Sequence, residues 1–170
     1  LKKELQNKGI KFNTRNSDTE VILRLYEFYG NDFFSKLNGM FAIAIYDKNK
    51  KQLIIARDRV GIKNIFYSRF NNTLVFGSEI KAILKSNLVK KEPNINGIYN
   101  YFSLKNITAP ETAFQNIYQV LPGEVIEICS SGIKHSKYWS LKNIITQKYD
   151  LQELSEIILS TLKRSIKRQL

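Results

Sequence analysis

The sequence has very few of the residues that bind metals or form disulfides. It contains one cysteine, Cys129, and one histidine, His135, among 170 residues. Disulfide frameworks need paired cysteines and structural zinc sites need four ligands, so the sequence excludes both and predicts no metal site. A single thiol fits a reducing compartment, and we expect a cytoplasmic protein.

Long hydrophobic runs are also missing. A membrane-spanning helix needs about 20 consecutive apolar residues, and no stretch comes near that length. No signal peptide begins the chain, so we expect no membrane partner. Leu1 stands where the middle of a helix is expected, and we therefore expect a piece of a larger protein.

Acidic residues are scarce: 15 Asp and Glu stand against 27 Lys and Arg, for a formal net charge of +12. Nucleic-acid binding requires basic residues clustered on one face. The lysines here are scattered, and the one dense patch, Lys163, Arg164, Lys167 and Arg168, lies at an expected helix end, where cations favour the dipole. Since no aromatic residues alternate with the basic ones, we favour a solvated surface and predict no nucleic-acid partner.

Apolar runs with hairpin-length connections dominate residues 37–78. They predict an antiparallel meander with strands at residues 40–46, 52–56, 64–67 and 74–77. The first run is apolar on both faces, because its even and its odd positions both carry apolar side chains. We therefore expect it to be a central strand covered on both sides. An open, wet edge there would count against this interpretation and against the fold and function that we infer for the whole chain.

Helical periodicity and capping residues predict the helices. We expect helices at residues 1–8, 18–29, 31–36, 79–85, 95–104 and 151–170, with a Ser17/Glu20 capping box and Ser78 capping the fourth. Further strands are expected at residues 11–14, 124–129 and 133–138. Because nothing after the last helix covers its apolar stripe, we expect a domain at residues 1–142, a linker at 143–150 and the first helix of a following domain at 151–170.

Six short segments follow one another in a meaningful order. They are residues 18–23 (DTEVIL), 37–42 (LNGMFA), 56–63 (ARDRVGIK), 78–82 (SEIKA), 110–112 (PET) with 121–124 (LPGE), and 138–139 (YW). Together they resemble the glutaminase half of glutamine-hydrolysing asparagine synthetases. The resemblance implies a class II glutamine amidotransferase domain, with an α+β fold of the N-terminal-nucleophile hydrolase type. This fold is an αββα sandwich with antiparallel sheets, expected here to be truncated at its N-terminus.

The resemblance also implies an activity for the parent protein. It would be an asparagine synthase (glutamine-hydrolysing), a ligase whose glutaminase domain releases ammonia from glutamine for ATP-dependent amidation of aspartate. ATP and Mg²⁺ would bind in the synthetase domain of the same chain, and we expect no cofactor in these residues. Glutamine and that synthetase domain are the expected partners, and a homodimer is left open.

One binding residue is implied by the same resemblance. Asp18 would accept the α-ammonium group of glutamine through a charge-assisted hydrogen bond, which selects an amino acid over a plain amide. The alternative, compatible with this, is an acid that stabilises the first helical turn by under about 1 kcal/mol. The family's catalytic residue is an N-terminal cysteine. We therefore expect no catalytic residue here and an inactive fragment, with Cys129 as a buried structural thiol.

Other residues receive structural interpretations. We expect Asp58 to pair with a neighbouring arginine and to fix a turn through Gly61. Asn64 stands where the family usually has proline, so we expect a looser turn, and we expect the His135 ring to face solvent. Asn96 and Gly97 resemble an oxyanion segment of the family, but we interpret them as part of a helix.

Three functional hypotheses stay open. The first is the glutaminase domain described above, and a variant of it is an amidotransferase-like protein that acts on a different acceptor acid. The second is a non-catalytic remnant or binding module. The third is a basic nucleic-acid-binding protein, which only the net charge supports.

Overall fold

The computed structural model describes residues 1–71, 73–143 and 146–169. Its helices and strands, in chain order, are α1 (Lys2–Asn7), α2 (Asp18–Tyr29), a 3-10 helix (Gly30–Lys36), β1 (Ala42–Asp47), β2 (Gln52–Arg57), β3 (Phe66–Phe70), β4 (Thr73–Gly77), α3 (Ile80–Lys85), α4 (Ile95–Leu104), β5 (Tyr118–Gln119), β6 (Glu124–Cys129), β7 (Gly132–Lys137), a 3-10 helix (Leu141–Asn143) and α5 (Leu151–Gln169).

The strands form two antiparallel sheets. The first sheet has the order β1-β2-β6-β7 and the second has the order β4-β3-β5. The hairpins β1-β2 and β3-β4 therefore belong to different sheets, and the single meander expected for residues 37–78 is wrong. The connection at residues 58–65 is longer than a hairpin turn, and it carries the chain from one sheet to the other.

Two apolar cores hold four layers together. The outer core joins α1, α2 and the first 3-10 helix to the first sheet, and it includes Leu5, Leu25, Phe33, Phe34, Ile43, Ile45, Ile54 and Ala56. The inner core lies between the sheets and contains Ile55, Ile65, Val120 and Ile126. Helix α3 packs against β3 and β4 as the fourth layer. The expected αββα sandwich with antiparallel sheets is confirmed.

Strand β1 departs from its expected position. It is the edge strand of the described first sheet, and only Ile43 and Ile45 of its apolar residues are buried. Ala44 lies directly opposite Ile55 and so shares its face, but the second sheet does not extend over β1, and Tyr46 is 61% exposed. The expectation of a central strand covered on both sides is wrong, because apolar alternation does not specify which neighbours are present.

The start of α2 confirms half of the expected capping box. The Glu20 amide donates to Ser17 Oγ at 3.2 Å. The Glu20 carboxylate, however, accepts hydrogen bonds from the backbone amides of Asn13 and Thr14, both at 2.7 Å. Residues 11–14 are consequently not a strand, because the preceding loop uses these amides to pack against the helix start.

Helices α3 and α4 begin differently. Helix α3 starts at Ile80 with Glu79 as its N-cap residue, so the expected Ser78 cap is wrong. In α4 the Asn94 side chain accepts a hydrogen bond from the Gly97 amide at 3.1 Å. A Cβ added to Gly97 would lie 2.6 Å from the carbonyl oxygen of Thr112, so glycine lets the helix approach that strand-like segment closely.

The chain divides into two compact units, Leu1–Ser140 and Leu141–Leu170. The first unit contains both sheets and α1 to α4. In the second unit, α5 exposes its apolar residues to solvent. The domain boundaries expected from the sequence stay a prediction. No helix in the described part of the chain is both long enough and apolar enough to span a membrane.

Gly97→Ala tests the close approach of α4. Alanine normally stabilises a helix interior by about 0.5–1 kcal/mol relative to glycine. Here the added methyl group would clash with the Thr112 carbonyl, so we expect the free energy of unfolding to fall by about 1 kcal/mol or more. Chemical denaturation measures this. The matched control is Ser103→Ala on the same helix, at an exposed position, which should not destabilise the protein. Stabilisation by both variants would contradict the packing described.

Candidate functional site

Two adjoining cavities lie at the start of β1, and together we call them the β1 groove. The first has a volume of about 300 Å³ and the second of about 640 Å³. Both are lined by Ile22, Met40, Phe41 and Ile43, which make a shared apolar wall. An apolar channel with polar residues at its ends is typical of a small-molecule binding site.

Asp18 lies at one end of the β1 groove. It is the first residue of α2 and is exposed, and it lines the first cavity together with Asn38 and Gly39. The helix that carries it is held to the first sheet by the buried Leu25 and by Tyr26, whose hydroxyl donates to Asp47 Oδ2 at 2.8 Å. A rigid helix start thus directs the Asp18 carboxylate at the groove rim. Its binding role stays a prediction.

The opposite end of the groove is polar. Lys63, Asn64, Ser78 and Glu79 line the second cavity there. The segments that contain them follow β2 and β4, so the second wall of the groove comes from the connection between the sheets and from the start of α3. The resemblance to a family singled out these segments, but no motif in them predicted that they border the same groove as Asp18.

Asp58 is buried where the chain leaves β2, with 1% of its surface exposed. Its Oδ1 accepts a hydrogen bond from the Ile62 amide at 3.0 Å, and its Oδ2 accepts one from the Lys63 amide at 2.9 Å. The turn through Gly61 is confirmed, since the Gly61 amide donates to the Asp58 carbonyl at 3.2 Å. The expected ion pair is wrong: among the described residues no arginine lies within 4.0 Å of the Asp58 carboxylate, because backbone amides already satisfy it.

The charge of Asp58 is stabilised in place. Burial by itself raises the pKa of this carboxyl group. The hydrogen bonds from backbone amides, those of Lys63 and Ile62 first, together lower the pKa by more than burial raises it, so it lies below its usual value. Asp58 is therefore ionised at neutral pH.

Arg57 binds the same connection from its other side. Its guanidinium donates to the carbonyl oxygens of Lys63 at 2.8 Å and of Val120 at 2.9 Å. It also donates to Asn64 Oδ1 at 2.8 Å, and the Gln119 side chain donates to the same oxygen at 3.0 Å. Asn64 therefore anchors the turn, and the looser turn expected at this position is not found. Burial lowers the pKa of Arg57, while the neighbouring Asp58 raises it.

Cys129 lies away from the β1 groove. It is half-buried at the end of β6 and lines a different cavity of about 310 Å³, together with Arg69 and Thr73. The expected buried thiol is wrong, because the strand ends there in the β6-β7 turn. A hydrogen bond with the Ser131 side chain, at 3.0 Å, and bonds from the amides of Ser131 and Gly132 lower the pKa of the thiol.

His135 lies on β7 and its ring is partly exposed, as expected. The sequence did not predict its partner: Nδ1 lies 2.9 Å from Oε1 of Glu124, which is 6% exposed. The other oxygen of Glu124 accepts a hydrogen bond from the Leu121 amide at 2.6 Å. In residues 1–71, 73–143 and 146–169, no three His, Cys, Asp or Glu side chains form a cluster suited to a metal ion.

Comparison with known proteins identifies relatives. Residues 1–139 match the glutamine amidotransferase domain family. The glutamine-hydrolyzing asparagine synthetase 3 of Bacillus subtilis is 36% identical over 144 residues, which are 84% of this chain and 23% of the relative. The putative glutamine-hydrolyzing asparagine synthetase 2 of Methanocaldococcus jannaschii is 32% identical over 163 residues, 90% of this chain and 32% of the relative. Amidase chry2 of Gibberella zeae is 35% identical over 144 residues, 84% of this chain and 21% of the relative.

The chain thus spans between about a fifth and a third of the length of these relatives. Among solved structures, glutamine phosphoribosylpyrophosphate amidotransferase from B. subtilis matches with a TM-score of 0.54 and 22% identity, over 81% of this chain and 26% of that one. A structure described as the allosteric regulatory enzyme of purine biosynthesis matches with a TM-score of 0.58, also at 22% identity, over 81% of this chain and 25% of that one. These two structures share the fold.

The environment of Cys129 predicts a pH profile for its alkylation. Because the Ser131 hydroxyl stabilises the thiolate, Ser131→Ala should move the rise of the alkylation rate with iodoacetamide to higher pH. The neighbouring Ser130 lines the same cavity, and Ser130→Ala is the matched control that should leave the profile unchanged. Identical profiles for the wild type and Ser131→Ala would contradict this account of the thiol.

Proposed function

Because this chain belongs to the glutamine amidotransferase domain family, we propose that it binds glutamine in the β1 groove as the glutaminase part of a glutamine-hydrolysing synthetase. The observation that carries this proposal is the place of Asp18, which stands on a rigid helix start at the rim of an apolar groove. The family match over residues 1–139 supports the same substrate class.

The groove suits the parts of glutamine. The Asp18 carboxylate accepts hydrogen bonds from the α-ammonium group, which distinguishes an amino acid from a simple amide. Met40, Phe41 and Ile43 offer an apolar wall to the methylene groups of the side chain. The residues of this chain thus bind and orient the substrate.

Hydrolysis of the amide needs an activated nucleophile, which in the family is a cysteine thiolate at the N-terminus. The one cysteine among these 170 residues, Cys129, lines a different cavity from Asp18. It also lies within the chain and therefore has no free α-amine to act as its base. We assign no catalytic step to it.

For the whole protein we propose ATP-dependent amidation of aspartate in a synthetase domain of the same chain, in the cytoplasm. The greater length of the relatives supports a further domain. ATP and Mg²⁺ would bind in that domain, as the resemblance to the asparagine synthetases implies. The exposed apolar residues of α5 support its contact with such a domain. A homodimer stays an open proposal.

A second candidate is an amidotransferase-like protein that acts on another acceptor acid. The observation that favours it is the Gibberella zeae relative, which is named an amidase and is as similar to this chain as the asparagine synthetases are. The two candidates share the glutamine site and differ in the amide produced. Assaying the intact protein with aspartate and with other carboxylic acids distinguishes them.

Asp18→Asn tests the binding role in the intact protein. The loss of a hydrogen bond to a charged group costs about 1.5–3 kcal/mol, so we expect the KM for glutamine to rise by about ten- to a hundredfold. Synthesis from ammonia should stay nearly intact, because ammonia does not need this site. Steady-state kinetics with either nitrogen donor measures both.

The matched control for this variant is Asp32→Asn. Asp32 is another acid in the first turn of a helix, and it does not line the β1 groove. It should leave the KM for glutamine unchanged. Equal loss of the glutamine-dependent and ammonia-dependent activities in Asp18→Asn would count against a binding role.

The 170-residue chain alone should release no ammonia from glutamine, because its one thiol is outside the groove. A coupled assay with glutamate dehydrogenase measures the ammonia. The control is Cys129→Ala, which should give the same background. Release by the wild-type chain that this variant abolishes would show that Cys129 is a nucleophile and would contradict the proposed division of roles.

A further inference from the structure

The connection from β2 to β3, residues 58–65, forms one wall of the β1 groove. Ile62, Lys63 and Asn64 of this connection line the second cavity, and so do Met40 and Phe41, which precede β1 and which we take as the other wall. One wall precedes β1, and the other follows β2 and leads to the second sheet. The width of the groove therefore depends on what holds residues 58–65 in place.

Asp58 is bonded to both walls. Its backbone amide donates to the Phe41 carbonyl at 3.0 Å, next to β1. Its carboxylate accepts the amides of Ile62 and Lys63, at 3.0 Å and 2.9 Å, on the opposite wall. One buried residue thus joins the two sides of the groove through three hydrogen bonds.

Arg57 secures the same wall through its guanidinium. Its Nε donates to the Lys63 carbonyl at 2.8 Å, and one terminal nitrogen donates to both the Gly61 carbonyl at 2.6 Å and Asn64 Oδ1 at 2.8 Å. A Cβ on Gly61 would lie 2.9 Å from the Arg57 Cζ, so the turn fits closely around the guanidinium. Lysine cannot reproduce this fork of donors.

We propose that Arg57 and Asp58 are positioning residues of the glutamine site, which set the separation between residues 40–43 and residues 62–64. The inference rests on the proposed function. Neither side chain lines the groove, so both act through the backbone they hold. An error of about 1 Å in such a wall can reduce catalytic efficiency by as much as about a hundredfold.

Asp58→Asn and Arg57→Lys in the intact protein test this inference. The asparagine side chain would place an amide donor against backbone donors, so we expect the KM for glutamine to rise about tenfold or more, with the ammonia-dependent rate within about twofold of the wild type. Hydrogen exchange at the amides of Ile62 and Lys63 should become faster in Asp58→Asn, because these amides lose the carboxylate that accepts their hydrogen bonds.

The matched controls are the same two replacements, aspartate by asparagine and arginine by lysine, at positions that do not line or hold the groove. Asp150 also accepts two backbone amides, those of Gln152 and Glu153 at the start of α5, but it does not line the groove or hold either wall. Arg69 is an exposed arginine on β3. Asp150→Asn and Arg69→Lys should leave the KM for glutamine unchanged, whatever they do to stability.

Several outcomes would overturn the inference. A folded Asp58→Asn variant with the same KM for glutamine as Asp150→Asn would overturn it. Equal loss of both activities would also overturn it, because that indicates a general structural role. If Asp58→Asn does not fold, Arg57→Lys and Asn64→Ala test the inference in its place. Asn64 is exposed, so its replacement should be tolerated, and the alanine removes one hydrogen-bond acceptor of the Arg57 guanidinium. An unchanged KM in both variants then overturns the inference.

The same measurements distinguish a failure of this inference from a failure of the proposed function. If Asp18→Asn raises the KM for glutamine and the variants at Arg57 and Asp58 do not, only the positioning inference fails. If those variants raise the KM and Asp18→Asn does not, the binding role of Asp18 fails instead.

Discussion

Where the chain leaves the first sheet, the buried carboxylate of Asp58 accepts backbone hydrogen bonds that a neighbouring strand would otherwise accept. In the described part of the chain the residues after β2 pair with no strand, so their amide hydrogens need other acceptors. The Asp58 side chain accepts the amides of Ile62 and Lys63, and its carbonyl accepts that of Gly123 at 2.9 Å. Because these donors stabilise the charge of Asp58, the chain can cross to the second sheet at a junction built around a buried carboxylate.

Distant parts of the chain meet at this junction. Tyr138 donates from its hydroxyl to the Arg57 carbonyl at 2.9 Å, and its ring stacks on Phe41. Gly123 has a φ of +68°, and a Cβ there would lie 2.5 Å from the Trp139 carbonyl oxygen. Three of the segments that resemble the amidotransferases, residues 56–63, 121–124 and 138–139, are therefore in contact with one another. Their residue types follow from this packing as well as from chemistry.

Strand β1 is at the edge of the described first sheet, yet the family assignment holds, because it rests on the match over residues 1–139. The sandwich is held by residues of β2 and β6 that face the two cores, Ile54 and Val125 on the outer side and Ile55 and Ile126 on the inner side. Strand β1 contributes Ile43 and Ile45 to the outer core alone. The first two residues of β1, Ala42 and Ile43, also border the groove in which we propose that glutamine binds.

The sequence by itself determined the local elements and the family. Ser17 and the periodic apolar residues of α2, the Ser130-Ser131-Gly132 turn and the alternating strands depend on near neighbours, which a sequence displays. Only the tertiary structure decided which sheet each hairpin joins, that β1 is an edge, and that Asp58 binds amides rather than an arginine. These features depend on contacts between residues far apart in the chain, where several partners satisfy the same side chain and only the assembled layers select one.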